Sequence, residues 1–168
     1  FHLAPTLGGM DQIKLEPRTF VQQPALFLRL IDRYRASHVP CPNFGVQWLT
    51  SQVDERDIEG IDLSCIKSFV NGSEPISPSV TRAFIEKFGK FGFDPRAMFM
   101  VYGMTEASLQ VTSPPVFTEA VFHKVDKDVF VRDQIVLPSQ DDEGSLELTD
   151  VGPPVAGMRI RIVDDHDP

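Results

Sequence analysis

The sequence predicts an α/β fold: a mixed, largely parallel sheet flanked by helices, followed by a β-rich C-terminal part. Through the first 112 residues, short apolar runs alternate with stretches whose apolar residues recur at helical spacing. This alternation is typical of parallel strands joined by helices. Residues 113–115, Ser-Pro-Pro, mark a change in composition, and β-branched residues and phenylalanine dominate beyond them. We therefore expect two parts, residues 1–112 and residues 113–168.

Three helices are predicted, each from a start signal. Pro24 stands where a proline opens a helix, Asn43 is a suitable N-cap, and Ser77-Pro78 pairs an N-cap serine with a proline at the first helical position. Apolar residues at helical spacing follow each signal. They are Leu26, Phe27, Leu30, Ile31 and Tyr34 in the first helix, Val46, Trp48, Leu49 and Val53 in the second, and Val80, Phe84 and Phe88 in the third.

Strands are predicted where apolar residues alternate with polar ones or form short continuous runs. In the first part these segments are 11–15, 39–41, 66–70 and 99–101. In the second part, the runs at 116–117, 121–122 and 129–131 contribute to the β-rich character, and 146–151 and 158–163 are predicted as full strands. Residues 140–144 are predicted to be an acidic loop.

Composition restricts the classes of function. The formal net charge of −8 argues against a nucleic-acid-binding surface, which needs a basic stripe. Cys41 and Cys65 lack a metal-ligand spacing and make no disulfide framework, so a reducing, cytoplasmic setting is predicted. The sequence contains no run of about 18 apolar residues, so no membrane span is predicted. We interpret residues 164–167 as a solvated terminus rather than a metal site. The start, without a methionine or a signal-peptide layout, indicates an internal piece of a longer chain.

The segment 101–106 contains the residues that point most directly to chemistry. It follows an apolar run, and Gly103 would let backbone amides approach a ligand closely. Tyr102 would stack on a nucleotide base, Thr105 would donate to a phosphate oxygen, and Glu106 would hold Mg²⁺, which is usually bound by one or two carboxylates together with substrate phosphates. An alternative stays open at this point: a strand end that turns into a helix capped by Thr105.

This segment resembles a motif of a known family. Tyr102-Gly103-Met104-Thr105-Glu106 is similar to the adenine- and phosphate-binding motif of the adenylate-forming enzymes, which include acyl-CoA synthetases and nonribosomal adenylation domains. Asn71-Gly72-Ser73-Glu74-Pro75 resembles the second nucleotide-side motif of that superfamily. Pro42-Asn43-Phe44-Gly45 and the run 34–37 are similar to the fatty acyl-AMP ligase branch. The resemblance implies a central piece of the N-terminal domain of such an enzyme.

The resemblance also implies a reaction and a set of site residues. A fatty acid and ATP would give an acyl-adenylate with Mg²⁺ as cofactor, and the acyl group would pass to a phosphopantetheine thiol on an acyl carrier protein or a downstream synthase module. Thr105 and Glu106 are the implied catalytic residues, with Glu106 as the metal ligand. Nucleotide contacts are implied for Asn71, Gly72, Ser73, Glu74, Pro75, Tyr102, Gly103, Met104 and Thr105, and acyl-pocket walls for Asn43, Phe44, Gly45 and Val46. The acyl-pocket residues are equally suitable as core residues.

Residues 118–138 resemble the insertion that separates fatty acyl-AMP ligases from acyl-CoA synthetases, although a plain surface hairpin would also explain them. Two other functions therefore stay open: a CoA-dependent acyl ligase, and a non-catalytic interaction module that keeps the fold. The family's lysine-containing phosphate loop and its catalytic lysine are not found in these 168 residues. We expect the 168-residue chain by itself to be catalytically inactive.

Overall fold

The computed structural model describes residues 3–163. Helices α1 to α6 span Leu3–Leu7, Pro17–Gln22, Pro24–Tyr34, Asn43–Gln52, Pro78–Gly89 and Lys127–Asp133. Strands β1 to β7 span His38–Pro40, Ser68–Asn71, Met98–Met100, Tyr102–Gly103, Gln110–Thr112, Phe122–Asp126 and Ser145–Thr149. Short 3-10 turns lie at Glu55–Ile58, Pro95–Ala97 and Thr105–Ala107. Within this part of the chain, no helix has both the length and the apolar composition that crossing a bilayer requires.

A three-stranded parallel sheet lies at the centre of the first part. Its order is β1-β2-β3, and the register pairs Val39 with Phe69 and Phe69 with Met98. α4 connects β1 to β2, and α5 connects β2 to β3, because parallel neighbours need a crossover connection. The predicted mixed α/β class with a parallel sheet and helices is confirmed for this part.

The predicted helix starts are confirmed with one small correction. α3 begins at Pro24, and α5 begins at Pro78 with the Ser77 hydroxyl accepting a hydrogen bond from the Val80 amide at 3.4 Å. α4 begins at Asn43 itself, so Pro42 occupies the cap position that we predicted for Asn43. The Asn43 side chain bonds elsewhere, as described below.

The aromatic part of the core lies between the sheet and α5. Phe69 of β2 packs on Phe84 of α5, with ring centroids 4.8 Å apart, and Phe84 packs on Phe88 at 4.6 Å. Phe93 meets the Phe84 ring edge-on at 5.2 Å. These four rings are almost completely excluded from solvent. Aromatic pairs in such tilted and edge-on arrangements contribute beyond the area that they bury, so they fix α5 on the sheet.

Two predicted strands are wrong. Segments 11–15 and 158–163 form no strand, and Ile13 and Ile162 are 46% and 92% exposed. An alternating pattern makes a strand only where a neighbour satisfies its backbone N–H and C=O groups. No strand within residues 3–163 pairs with either segment.

The C-terminal part contains less strand than predicted. β4 pairs with β5 and β6 with β7, both antiparallel. Residues 129–131, counted as β-rich in the prediction, lie in α6, because the Asp126 carboxylate caps that helix by accepting a hydrogen bond from the Val129 amide at 2.9 Å. A β-rich part is therefore not shown for residues 113–163. The predicted solvated terminus, 164–167, lies outside the described residues.

Candidate functional site

The two glycine motifs meet at one edge of the parallel sheet. β2 ends at Asn71 and β3 ends at Met100, and parallel strands bring their carboxyl ends to the same edge. The Val101 amide donates to the Asn71 carbonyl oxygen at 2.9 Å. A Cβ on Gly72 would lie 2.9 Å from the Val101 carbonyl oxygen, so this close approach requires glycine. The first motif and the start of the second therefore lie side by side.

The first motif forms a loop between β2 and α5. Ser73 has a φ of +72°, in the left-handed region, and this turns the chain outward. Ser73, Glu74 and Pro75 are exposed, whereas Gly72 is buried. Asn71 is 0% exposed, and neither its side-chain oxygen nor its side-chain nitrogen bonds to any residue of the described part. Residues 73–75 therefore form the exposed part of this motif, and Asn71 lies beneath them.

The second motif follows β3, which is an edge strand among the described residues. Tyr102 and Gly103 form β4, which pairs with β5. A Cβ on Gly103 would lie 1.9 Å from the Leu109 carbonyl oxygen, which is far inside van der Waals contact. Tyr102 is 46% exposed. The pairing of β4 with β5 thus requires glycine at position 103 and leaves an aromatic ring at the surface.

The remaining motif residues form a tight turn. Thr105–Ala107 is a single 3-10 turn, and the Thr105 hydroxyl donates to the Glu106 carboxylate at 3.2 Å. Met104, Thr105 and Glu106 are all exposed. The alternative interpretation, a helix capped by Thr105, is wrong, because Thr105 is the first residue of the turn and no side chain caps it. A hydroxyl and a carboxylate are therefore presented together to solvent.

An open groove of about 710 Å³ lies where the motifs meet. The motif residues Tyr102 and Gly103 line it, whereas Met104, Thr105 and Glu106 do not. The complete lining is Ser73, Glu74, Pro75, Ile76, Ser77, Pro78, Val101, Tyr102, Gly103, Glu147, Leu148, Thr149 and Val151. We call this cavity the motif groove. A second cavity, of about 480 Å³ around Pro24 and Arg29, contains no motif residue.

The other wall of the motif groove comes from β7, which our sequence reasoning did not assign to the site. Glu147 is held by Arg82 of α5 through two hydrogen bonds of 2.6 and 2.7 Å. This hydrogen bonding lowers the pKa of the Glu147 carboxyl below its ordinary value and raises that of the Arg82 guanidinium. The carboxylate on this wall is therefore already paired with a cation. Alternation at 146–151 predicted the strand, but not which element it would face.

The loop and the start of α4 are joined by reciprocal hydrogen bonds. The Phe44 amide donates to the Glu74 carboxylate at 2.6 Å, and the Ser77 amide donates to the Asn43 side-chain oxygen at 3.1 Å. A carboxylate at a helix N-terminus is favoured by the helix dipole as well as by the hydrogen bond. These bonds place the predicted acyl-pocket helix directly beside the predicted nucleotide loop.

The four predicted acyl-pocket residues divide into two pairs. Phe44 is 56% exposed and Asn43 is half-buried, so both reach the surface near the loop. Gly45 and Val46 are buried, and Val46 belongs to the hydrophobic core. A Cβ on Gly45 would lie 2.7 Å from the Cys41 sulfur. The core alternative therefore describes Gly45 and Val46, and for the surface residues Asn43 and Phe44 the acyl pocket stays a prediction.

Replacing Glu74 with alanine tests the bond between the loop and α4. In the full-length protein, we expect hydrogen exchange of the amides at 44–46 to become about five-fold faster, which is equivalent to the loss of about 1 kcal/mol for a capping side chain. Glu74→Gln keeps an oxygen acceptor and should show a smaller change. Hydrogen exchange measured by mass spectrometry distinguishes the variants. Unchanged exchange in Glu74→Ala would show that the bond does not stabilise the helix start.

The site residues fit a nucleotide with a divalent cation. Gly72 lets the first motif approach Val101 closely, and Gly103 lets β4 approach Leu109. The exposed Tyr102 ring offers a stacking face. Between residues 3 and 163, no group of three or more His, Cys, Asp or Glu side chains could hold a metal ion by itself. Mg²⁺ needs no such group, since it is commonly bound by one or two carboxylates and the substrate's own phosphates. Glu106 is a suitable carboxylate of this kind, and the adjacent Thr105 hydroxyl could donate to a phosphate oxygen.

Comparison with known proteins places this geometry in a family. The model of the family described as AMP-binding enzyme matches residues 1–168. The medium-chain-fatty-acid–[acyl-carrier-protein] ligase JamA of Moorena producens is 27% identical over 164 residues, which cover 96% of this chain and 28% of JamA. The corresponding ligase TtuA of Teredinibacter turnerae is 30% identical over 162 residues, covering 96% of this chain and 25% of TtuA.

Solved structures agree with the sequence relatives. The structure of a fatty acyl-adenylate ligase from L. pneumophila, in complex with acyl adenylate and pyrophosphate, matches with a TM-score of 0.85 and 32% sequence identity, covering 90% of this chain and 27% of that one. The chain thus spans about a quarter of the length of the relatives it matches. Relatives that are fatty acid ligases confirm the resemblance to fatty acyl-AMP ligases. Because the family model matches its whole length, the chain belongs to the AMP-binding enzyme family.

Proposed function

We propose that this chain is part of an ATP-dependent fatty acyl-AMP ligase. A fatty acid carboxylate oxygen would bond to the α-phosphorus of ATP while the bond to pyrophosphate breaks, and a phosphopantetheine thiol would then take the acyl group and release AMP. The observation that carries the proposal is the motif groove, where two glycine motifs meet at the carboxyl edge of a parallel sheet. The names of JamA and TtuA support a fatty acid substrate and an acyl carrier protein partner.

The proposed nucleotide contacts follow the exposed parts of the two motifs. Tyr102 would stack on adenine, and the backbone of residues 72–75 would contact the edge of the base. Thr105 would donate to a phosphate oxygen, and Glu106 would hold Mg²⁺, which supplies charge neutralisation at the phosphates when bound. Catalysis by these side chains is then mainly positioning and electrostatic stabilisation. We keep Asn71 and Met104 in the proposed nucleotide set, Asn71 as a buried support.

The same proposal covers the organisation of the chain. Residues 1–112 would be the α/β part of the adenylation domain, and 113–168 would follow it with a fatty acyl-AMP ligase-type insertion at 118–138. Asn43 and Phe44 would border the acyl chain. Cys41 and Cys65 are both free thiols, which agrees with the cytoplasmic location that we propose.

ATP–pyrophosphate exchange tests this function. The full-length protein should catalyse exchange that depends on a fatty acid, and the acyl product should appear on a phosphopantetheinylated carrier protein. Transfer to free CoA instead would favour an acyl-CoA ligase, and exchange with no fatty acid dependence would contradict the proposal. The 168-residue chain alone should give no exchange, because bringing reactants into near-attack geometry contributes on the order of 7–11 kcal/mol and this chain supplies only part of the site.

A further inference from the structure

A side chain from β7 holds the loop of the first motif. The Thr149 hydroxyl donates to the Ile76 carbonyl oxygen at 2.8 Å, across 73 residues of sequence. Thr149 is half-buried and lines the motif groove together with Ile76. This hydrogen bond therefore joins the two walls of the groove.

The strand that carries Thr149 is anchored separately. Glu147 lies two residues earlier, so it shares a face of β7 with Thr149, and Arg82 of α5 binds it through its two terminal guanidinium nitrogens. The Arg82 guanidinium also lies 4.4 Å from the centroid of the Phe122 ring, and Phe122 pairs with Thr149 in the β6–β7 ladder. β7 is thus fixed to α5 whether or not the Thr149 hydroxyl is present.

The loop is held differently at its two sides. On the α4 side, Glu74 and Ser77 make the hydrogen bonds to Phe44 and Asn43 described above. On the β7 side, Thr149 supplies the hydrogen bond to Ile76. Residues 73–75 are exposed, and Ser73 has a left-handed backbone. A loop with this much exposed backbone keeps one shape only if its ends are fixed.

We propose that Thr149 is a positioning residue for the nucleotide loop. Its hydroxyl fixes the Ile76 carbonyl and thereby the backbone of residues 72–77, which would contact adenine. This inference rests on the proposed function for the identity of the ligand, and on the hydrogen bond itself for the effect on the loop. Thr149 does not act on the reacting atoms, so its removal changes how well ATP binds more than how fast bound ATP reacts.

Three variants of the full-length protein test the proposal. Thr149→Val removes the hydroxyl at nearly constant volume, and Thr149→Ser restores it. Thr118→Val is the matched control, because the Thr118 hydroxyl also donates to a backbone carbonyl, that of Pro115 at 2.8 Å, but does not line the groove. We expect Thr149→Val to raise the KM for ATP about three- to ten-fold, the equivalent of one neutral hydrogen bond, with kcat nearly unchanged.

Deuterium uptake of residues 71–77 in the protein without ligand is the second measurement. It should be about three- to ten-fold faster in Thr149→Val, and close to wild type in Thr149→Ser and Thr118→Val. Unchanged uptake in Thr149→Val, or no rescue by serine, would overturn the positioning role. If the wild-type protein shows no fatty acid-dependent ATP–pyrophosphate exchange, the proposed function is overturned. Faster deuterium uptake confined to Thr149→Val would in that case still support the role of Thr149 in holding the loop.

Discussion

Glu106→Gln should lower fatty acid-dependent ATP–pyrophosphate exchange in the full-length protein by about 100-fold or more. Electrostatic stabilisation at a reacting phosphate contributes several kcal/mol, and glutamine keeps the shape of the side chain but loses the charge that would hold Mg²⁺. Glu106 is exposed and bonds to Thr105 within its own turn, so the fold depends little on it. Thermal unfolding should therefore be nearly unchanged.

Glu59→Gln is the matched control for this prediction. Glu59 is also exposed but lies outside both glycine motifs, so the ATP–pyrophosphate exchange rate and the stability of this variant should equal those of the wild type. Wild-type exchange by Glu106→Gln at saturating Mg²⁺ would remove Glu106 from the proposed site. A large loss of thermal stability in that variant would show a structural role instead.

Gly103→Ala should disrupt the second motif by steric clash. The added Cβ would lie 1.9 Å from the Leu109 carbonyl oxygen and 2.9 Å from its carbonyl carbon, and both are backbone atoms that cannot rotate away. Forcing β4 and β5 apart should cost about 3 kcal/mol of local stability, near the upper end for overpacking. We expect fast hydrogen exchange across residues 100–112 and loss of ATP–pyrophosphate exchange, because Tyr102 and Thr105 move with the strand.

The same substitution at Gly89, Gly89→Ala, should not destabilise the protein. Gly89 is the last residue of α5, and beyond its chain neighbours and the adjacent helix backbone no atom lies within 4 Å of the position where its Cβ would stand. Alanine has the higher helix propensity, so this variant should be equally stable or more stable, by up to about 1 kcal/mol. If Gly103→Ala behaved like Gly89→Ala, the close pairing of β4 with β5 would be wrong.

The sequence predicts well those features that local chemistry determines. Pro24 and the Ser77-Pro78 pair mark helix starts because proline and serine satisfy the needs of a first turn, and α3 and α5 begin there. The convergence of Gly72 with the second motif was predictable because each motif follows an apolar run that fits a parallel strand. Chain topology then brings the carboxyl ends of such strands together.

The features that the sequence did not predict depend on distant partners. Segment 158–163 alternates like a strand but has no described neighbour to pair with, and residues 129–131 form a helix because Asp126 caps it. The β7 wall of the groove was missed for a related reason. The contact of Arg82 with Glu147 spans 65 residues, and that of Thr149 with Ile76 spans 73. No local sequence pattern predicts either contact.

A crystal structure of the full-length protein with a non-hydrolysable acyl-adenylate analogue, such as an acyl sulfamate of adenosine, tests the account most directly. We predict that adenine lies in the motif groove, with its face on the Tyr102 ring and its edge along the backbone of residues 72–75. The phosphate mimic should lie toward Thr105. Adenine bound outside this groove, with Tyr102 and the 72–75 loop free of ligand, would contradict the central claim.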